Sequence, residues 1–155
     1  MESDLRIVEA ESKDSDLVGQ MVHDLLMELF AEQSHHFPIE KIKKAASDLL
    51  KPGSLVWSFL AFDGHEIVGM INLNECSAIY AGGKFGEITE MYVRPKYRSK
   101  GVGEKLIEKA TAFAKKRSWR VIEVGAPDVP RYQKAVDFYL RTGFSTVGPR
   151  LERYV

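Results

Sequence analysis

Between residues 86 and 125 the chain reads as strand, turn, helix and strand, an order that leaves few folds open. The stretch "GEITEMYV" (86–93) is rich in β-branched and aromatic side chains, which suit a pleated, half-buried surface, and Pro95 closes it. Val102, Leu106, Ile107, Ala110, Phe113 and Ala114 then recur at helical spacing and predict a helix over 101–117. "RVIEVGAP" (120–127) returns to a strand over 120–125. Two strands joined through a helix lie parallel in one sheet with a right-handed crossover, so the chain belongs among mixed α/β folds.

The rest of the chain adds antiparallel elements to that unit. "LRIVEA" (5–10) is a short extended segment, and Ser12 or Ser15 can cap the helix that follows. That helix carries Leu17, Val18, Met21, Val22, Leu25, Leu26, Leu29 and Phe30 as an amphipathic stripe. "SHHFP" interrupts it, Pro38 sits where a second helix starts over 39–50, and "KPG" stops that one. "SLVWSFLAF", the turn "DGHE" and "IVGMINLNE" predict a hairpin. A later helix bears Ala135, Phe138, Tyr139 and Thr142 on one side and ends at Gly143. The tail "FSTVGPRLERYV" reads as two last strands around Gly148 and Pro149. The predicted order is β-α-α-β-β-β-α-β-α-β-β, within one domain spanning 1–155.

Composition narrows the function. With 22 basic and 22 acidic side chains the net charge is zero, which argues against a general nucleic-acid binder. Cys76 is the only cysteine, so there is no intramolecular disulfide or cysteine metal cage, and a cytoplasmic location is expected. The acidic start of the chain lacks the layout of a signal peptide. The most apolar run, 55–62, is far shorter than the roughly 20 residues that cross a bilayer, so no membrane role is expected. His35 and His36 are adjacent, with no carboxylate or further histidine grouped beside them, and no metal site is predicted.

Against that neutral background, four of the first eight residues of "VRPKYRSKGVGEKL" (93–106) are cationic. The sub-stretch Arg98-Ser99-Lys100-Gly101-Val102-Gly103 lies between a strand and a helix N-terminus, where unpaired N–H groups and the helix dipole favour an anion. Glycines let a ligand approach the backbone, and phosphate fits the geometry. A Walker A loop is absent, because Gly103 is followed by Glu104-Lys105-Leu106. A dinucleotide fingerprint fails too, because its third glycine position is Leu106.

This stretch matches the Arg/Gln-x-x-Gly-x-Gly/Ala signature of the GNAT superfamily of acyl-CoA N-acyltransferases, and "KAVDFYLRTGF" (134–144) resembles that family's second motif. The resemblance covers almost the whole chain. It implies a GNAT fold, with a central mixed, mostly antiparallel sheet of six to seven strands, splayed between the fourth and fifth, and about four helices. It implies that backbone N–H groups of Ser99, Lys100, Gly101, Val102 and Gly103 hold the pyrophosphate of acetyl-CoA, with Arg98 in the first signature position. It further implies that the main chain of Met91, Tyr92 and Val93 pairs with the pantetheine and supplies the oxyanion contact. Tyr132 stands where many members have asparagine. A homodimer is common in the family.

Acyl transfer to an amine needs a base, because an alkyl ammonium has a pKa of about 10. Glu90, and alternatively Glu87, are the candidates on the motif strand. Three positions apart, they face opposite ways in a regular strand unless a bulge intervenes. Tyr139 matches the family's tyrosine that protonates the departing thiolate. The expected function is therefore N-acetyl transfer to a primary amine of a small molecule, with Glu28, Glu32, His35, His36 and Phe37 able to receive a cationic one. The alternatives are a protein or peptide acetyltransferase and a non-catalytic acyl-CoA-binding module.

Overall fold

A computed structural model describes residues 4–155; Met1 to Ser3, the first residues of the acidic start, lie outside the described residues. The elements are β1 (Leu5–Glu9), α1 (Ser15–Leu29), α2 (Ile39–Leu49), β2 (Val56–Asp63), β3 (Glu66–Ala78), β4 (Gly83–Val93), α3 (Val102–Lys116), β5 (Ile122–Val124) and α4 (Gln133–Arg141). One sheet has the order β1-β2-β3-β4-β5. Neighbours run antiparallel except β4 and β5, whose parallel pairing and α3 crossover are as expected.

The sheet has five strands among the described residues, not six or seven. The tail after α4 forms no strand. Strand β5 pairs over three residues, a short edge on which to add further strands. Gly148, at φ 129°, and Pro149 break the tail, and Val147, Leu151 and Tyr154 are exposed, so no apolar face is gained by pairing it. Neither serine caps α1. Glu11 and Asp14 form a reciprocal box on the short 3-10 turn at Ser12–Asp14, while the Ser12 hydroxyl donates to Leu50 O at 2.6 Å.

Alternating side chains send the sheet's apolar residues to two covers. Phe59, Ile71, Leu73 and Ile88 pack under α3 against Val102, Leu106 and Ala110. Leu60, Met70 and Tyr92 pack on the other face with Met21 and Val22 of α1 and with Leu50 just after α2. Trp119 packs against Gly86, where a Cβ would come within 2.3 Å of the indole ring. The α3 face is thus packed down to the first residues of the β4–β5 ladder.

Two irregularities interrupt the ladders. The pairing shifts between Ala61 and Phe62, and again where Asn72 faces Glu90 while Leu73 faces Ile88. Thr89 is therefore one residue too many for β3, a bulge in the middle of β4.

Candidate active site

Strand β5 pairs with β4 only from Gly86 opposite Ile122 to Ile88 opposite Val124. Beyond Ile88, at the bulge, residues 89–93 of β4 have no strand on that side, and the two strands part. A crevice at the carboxyl ends of parallel strands is where open α/β sheets bind ligands.

The turn between β4 and α3 begins as a 3-10 turn at Pro95–Tyr97. Ser99 takes a left-handed φ of 61° and Gly101 one of 86°, and Gly101 precedes the first residue of α3. A Cβ on Gly101 would meet nothing within 4 Å, so that glycine answers to backbone conformation and leaves the turn open above it. Gly103 has a different reason: a Cβ there would sit 2.9 Å from the Phe138 ring, so its bareness admits α4, not a ligand. Lys100, Gly101 and Lys105 line a groove of about 220 Å³ with Leu5 and Ile7, which puts two cations beside the turn.

The Arg98 side chain makes contacts within the chain. Its Nε donates to Val93 O at 2.8 Å, and its Nη2 reaches both carboxylate oxygens of Glu28 on α1 at 2.8 and 3.0 Å. The guanidinium also lies over Tyr92, 5.5 Å from the ring centroid. The signature arginine therefore ties the turn to α1. Tyr132 does the same from the other side: its hydroxyl donates to Leu29 O at 3.2 Å and closes the end of α1 against the start of α4.

The bulge decides the placement of the two acids. Glu87 faces Asn74 and Glu90 faces Asn72, and since these partners are two apart on β3, both carboxylates emerge on the α1 side of the sheet. Glu90 Oε1 accepts from Asn72 Nδ2 at 2.9 Å and from Thr89 Oγ1 at 2.7 Å. Glu87 is instead ion-paired with Arg150 of the tail. Asn72, Thr89 and Arg150 escaped sequence reasoning; a one-residue bulge and a contact over 63 residues leave no linear pattern.

Tyr139 lies on the opposite side of β4, between Phe138 and Phe144 with ring centroids 5.4 Å from each. Its hydroxyl donates only to the Met91 sulfur, at 3.8 Å, among the described residues. Burial pushes its pKa up to about 12. A phenol resting on a thioether, beside the free edge of β4, stands where it can donate to another sulfur.

His35 and His36 stack on each other at 4.0 Å within the 3-10 segment Ala31–His36. No group of three or more His, Cys, Asp or Glu among the described residues is placed to hold a metal ion. No helix among them is long and apolar enough to cross a membrane.

A parallel strand pair that splays beside a glycine turn at a helix N-terminus is the arrangement of the acetyltransferase class of mixed α/β folds. The chain belongs to the acetyltransferase (GNAT) family, whose model matches residues 19–144. It is 43% identical over 60 residues to an uncharacterized N-acetyltransferase of Methanocaldococcus jannaschii, a match covering 37% of this chain and 25% of that protein. The match thus spans a quarter of that relative's length. Solved structures share the fold: an aminoglycoside acetyltransferase from an uncultured soil metagenomic sample has a TM-score of 0.76 at 23% identity, covering 99% of this chain and 96% of that one. A ribosomal-protein-alanine N-acetyltransferase from Brucella melitensis has a TM-score of 0.74 at 19% identity, covering 97% and 99%.

Proposed function

We propose that residues 1–155 act as one cytoplasmic N-acetyltransferase domain that moves an acetyl group from acetyl-CoA to a primary amine of a small molecule. The observation that carries this reading is the end of the β4–β5 ladder at Ile88 and Val124, with Glu90 and Tyr139 flanking the edge it leaves free. The residues fit the coenzyme: the turn above Gly101 is open, and the main chain of Met91, Tyr92 and Val93 has no β5 partner.

When bound, acetyl-CoA supplies an acyl group activated as a thioester. Backbone N–H groups of residues 99–103 hold its pyrophosphate at the N-terminus of α3. The free edge of β4 orients the pantetheine and directs an N–H at the carbonyl oxygen, where charge develops. Glu90, positioned by Asn72 and Thr89, takes the proton of the acceptor ammonium directly or through water. Attack forms the C–N bond, the nitrogen passes its second proton to solvent as the C–S bond breaks, and Tyr139 donates a hydrogen bond to the departing sulfur. Burial keeps the phenol protonated until then, so it can protonate the departing thiolate and be reprotonated by solvent.

The test is release of free thiol from acetyl-CoA by the purified protein with polyamines, aminoglycosides, amino acids and short peptides. Release with a small amine and not with peptides supports the reading. Release with peptides alone establishes the peptide acetyltransferase. Silence throughout, in a preparation that binds CoA, leaves the acyl-CoA-binding module.

A further inference from the structure

The α1 side of the sheet carries an acidic seat at the mouth of the splay. Parallel pairing sets Glu87 beside Glu123, opposite the face where Ile88, Ile122 and Val124 pack under α3. The bulge brings Glu90 to that same side. Each carboxylate is anchored: Glu90 by Asn72 and Thr89, Glu123 by the Tyr80 hydroxyl at 2.8 Å, Glu87 by Arg150. The Cys76 thiol reports the shared field, since burial first, then Glu87 and Glu123, push its pKa up while Arg150 pulls it down.

The cation in this seat comes from the chain itself. Arg150 pairs with Glu87, and its guanidinium lies over the bare backbone of Gly125, with Nε and Cζ at 3.4 and 3.5 Å from where a Cβ would stand. A guanidinium thus occupies the space just past the end of β5. It is held loosely: the Arg150 side chain is 62% exposed on a tail without helix or strand, whereas that of Glu87 is 21% exposed within the sheet. The carboxylate is the fixed half of the pair and the cation the replaceable half. One arginine also leaves Glu90 and Glu123 without an ion pair among the described residues.

We propose that Arg150 is a resident stand-in for a substrate cation, and that the acceptor is a small polyamine whose remote ammonium displaces it from Glu87 while its primary amine reaches Glu90. This rests on the acetyltransferase reading of the same cleft. Glu87 and Glu90 face β3 residues two apart, a separation of about 7 Å along a strand. An alkyl spacer of roughly three or four methylenes, at about 1.5 Å per bond, bridges it. The tail would then act as a specificity filter: a monoamine offers nothing to exchange for the guanidinium.

The experiment is calorimetric titration of spermidine into the CoA-loaded full chain, as wild type, Arg150→Ala, Arg150→Lys and Glu87→Gln, with a lysine-containing tripeptide as a second probe. Arg150→Ala should bind spermidine about tenfold more tightly than wild type, Arg150→Lys should behave as wild type, and Glu87→Gln should lose at least tenfold. Unchanged or weaker binding by Arg150→Ala overturns the proposal. So does the absence of spermidine binding to every form, or a gain seen with the tripeptide alone. Because binding is read without turnover, the two failures separate. Thiol release with no effect of Arg150→Ala sinks only the stand-in, whereas tighter binding without thiol release sinks only the acetyltransferase.

Discussion

Glu75 holds the base of the splay together, and replacing it with Gln should cost about 1–2 kcal/mol. Its Oε1 accepts from Arg117 Nε at 3.0 Å, Arg117 Nη2 at 2.7 Å and Trp119 Nε1 at 2.7 Å, and the carboxylate side chain is only 6% exposed. Charge-assisted hydrogen bonds are about twice as strong as neutral ones, so an isosteric amide forfeits roughly 1 kcal/mol at each of the three. Removing a buried charge offsets part of that loss, which leaves the net figure above. Glu75→Leu should cost about 3–4 kcal/mol, because it strands the Trp119 donor in the core while Arg117 turns to water. For a chain of this size the Gln change lowers Tm by about 2–8 °C. Burial alone would raise the Glu75 pKa, but the bonds from Trp119 and Arg117 and the Arg117 and Lys84 charges outweigh it and hold it below 4.5. A lowered folded-state pKa contributes stability that is present above 4.5 and is lost as pH falls through the lowered value. Urea unfolding followed by tryptophan fluorescence should therefore show a wild-type advantage that is constant near neutrality and closes below pH 4.5. An advantage that is zero at pH 7, or that persists unchanged into acid, refutes the reasoning.

Three further outcomes concern the cleft. Tyr139→Phe should lower kcat tenfold or more with the CoA dissociation constant unchanged, and equal turnover would take Tyr139 out of the chemistry. Gly103→Val should weaken CoA binding by pushing Phe138 and Met91, 2.9 and 3.5 Å from the new Cβ, against the turn; fluorescence titration with unaltered affinity would dissociate that glycine from the site. Because burial raises Tyr139 to about 12, its neutral form should favour the fold fully below pH 10, a benefit lost as pH rises through about 12. A Tyr139-dependent alkaline limb in kcat near pH 10, absent from Tyr139→Phe, would contradict that environment.

Local signals carried most of the fold. Periodicity located α1, α2 and α3, Asp63-Gly64 marked the β2–β3 turn, and the βαβ order implied the parallel pairing of β4 with β5. Gly143 ends α4 at φ 104°, as its position suggested. What escaped was non-local. Val147 and Tyr154 of the tail carry β propensity, which counts only where an edge and a core receive it. The Arg98–Glu28 contact spans 70 residues and leaves no local pattern. That Gly103 also makes room for the Phe138 ring of α4 has no linear signal either.

The extra residue Thr89 links these pieces, and deleting it tests the linkage. Two-residue alternation along β3 means that removing Thr89 returns Ile88 and Glu90 to a regular ladder without turning any apolar side chain to the wrong face. Ile88 still packs under α3, Tyr92 still packs under α1, and Glu87 and Glu90 still share a side. What disappears is the local kink and added twist of a bulge, at the point where β4 leaves β5. The deletion variant should therefore fold with near wild-type secondary structure while losing at least tenfold in CoA affinity, as the straightened edge closes toward Gly125. Hydrogen exchange at residues 90–93 should slow as those amides gain partners. If affinity and exchange both match wild type, the splay owes nothing to the bulge and must be held open by the α1 contacts of Arg98 and Tyr132 instead.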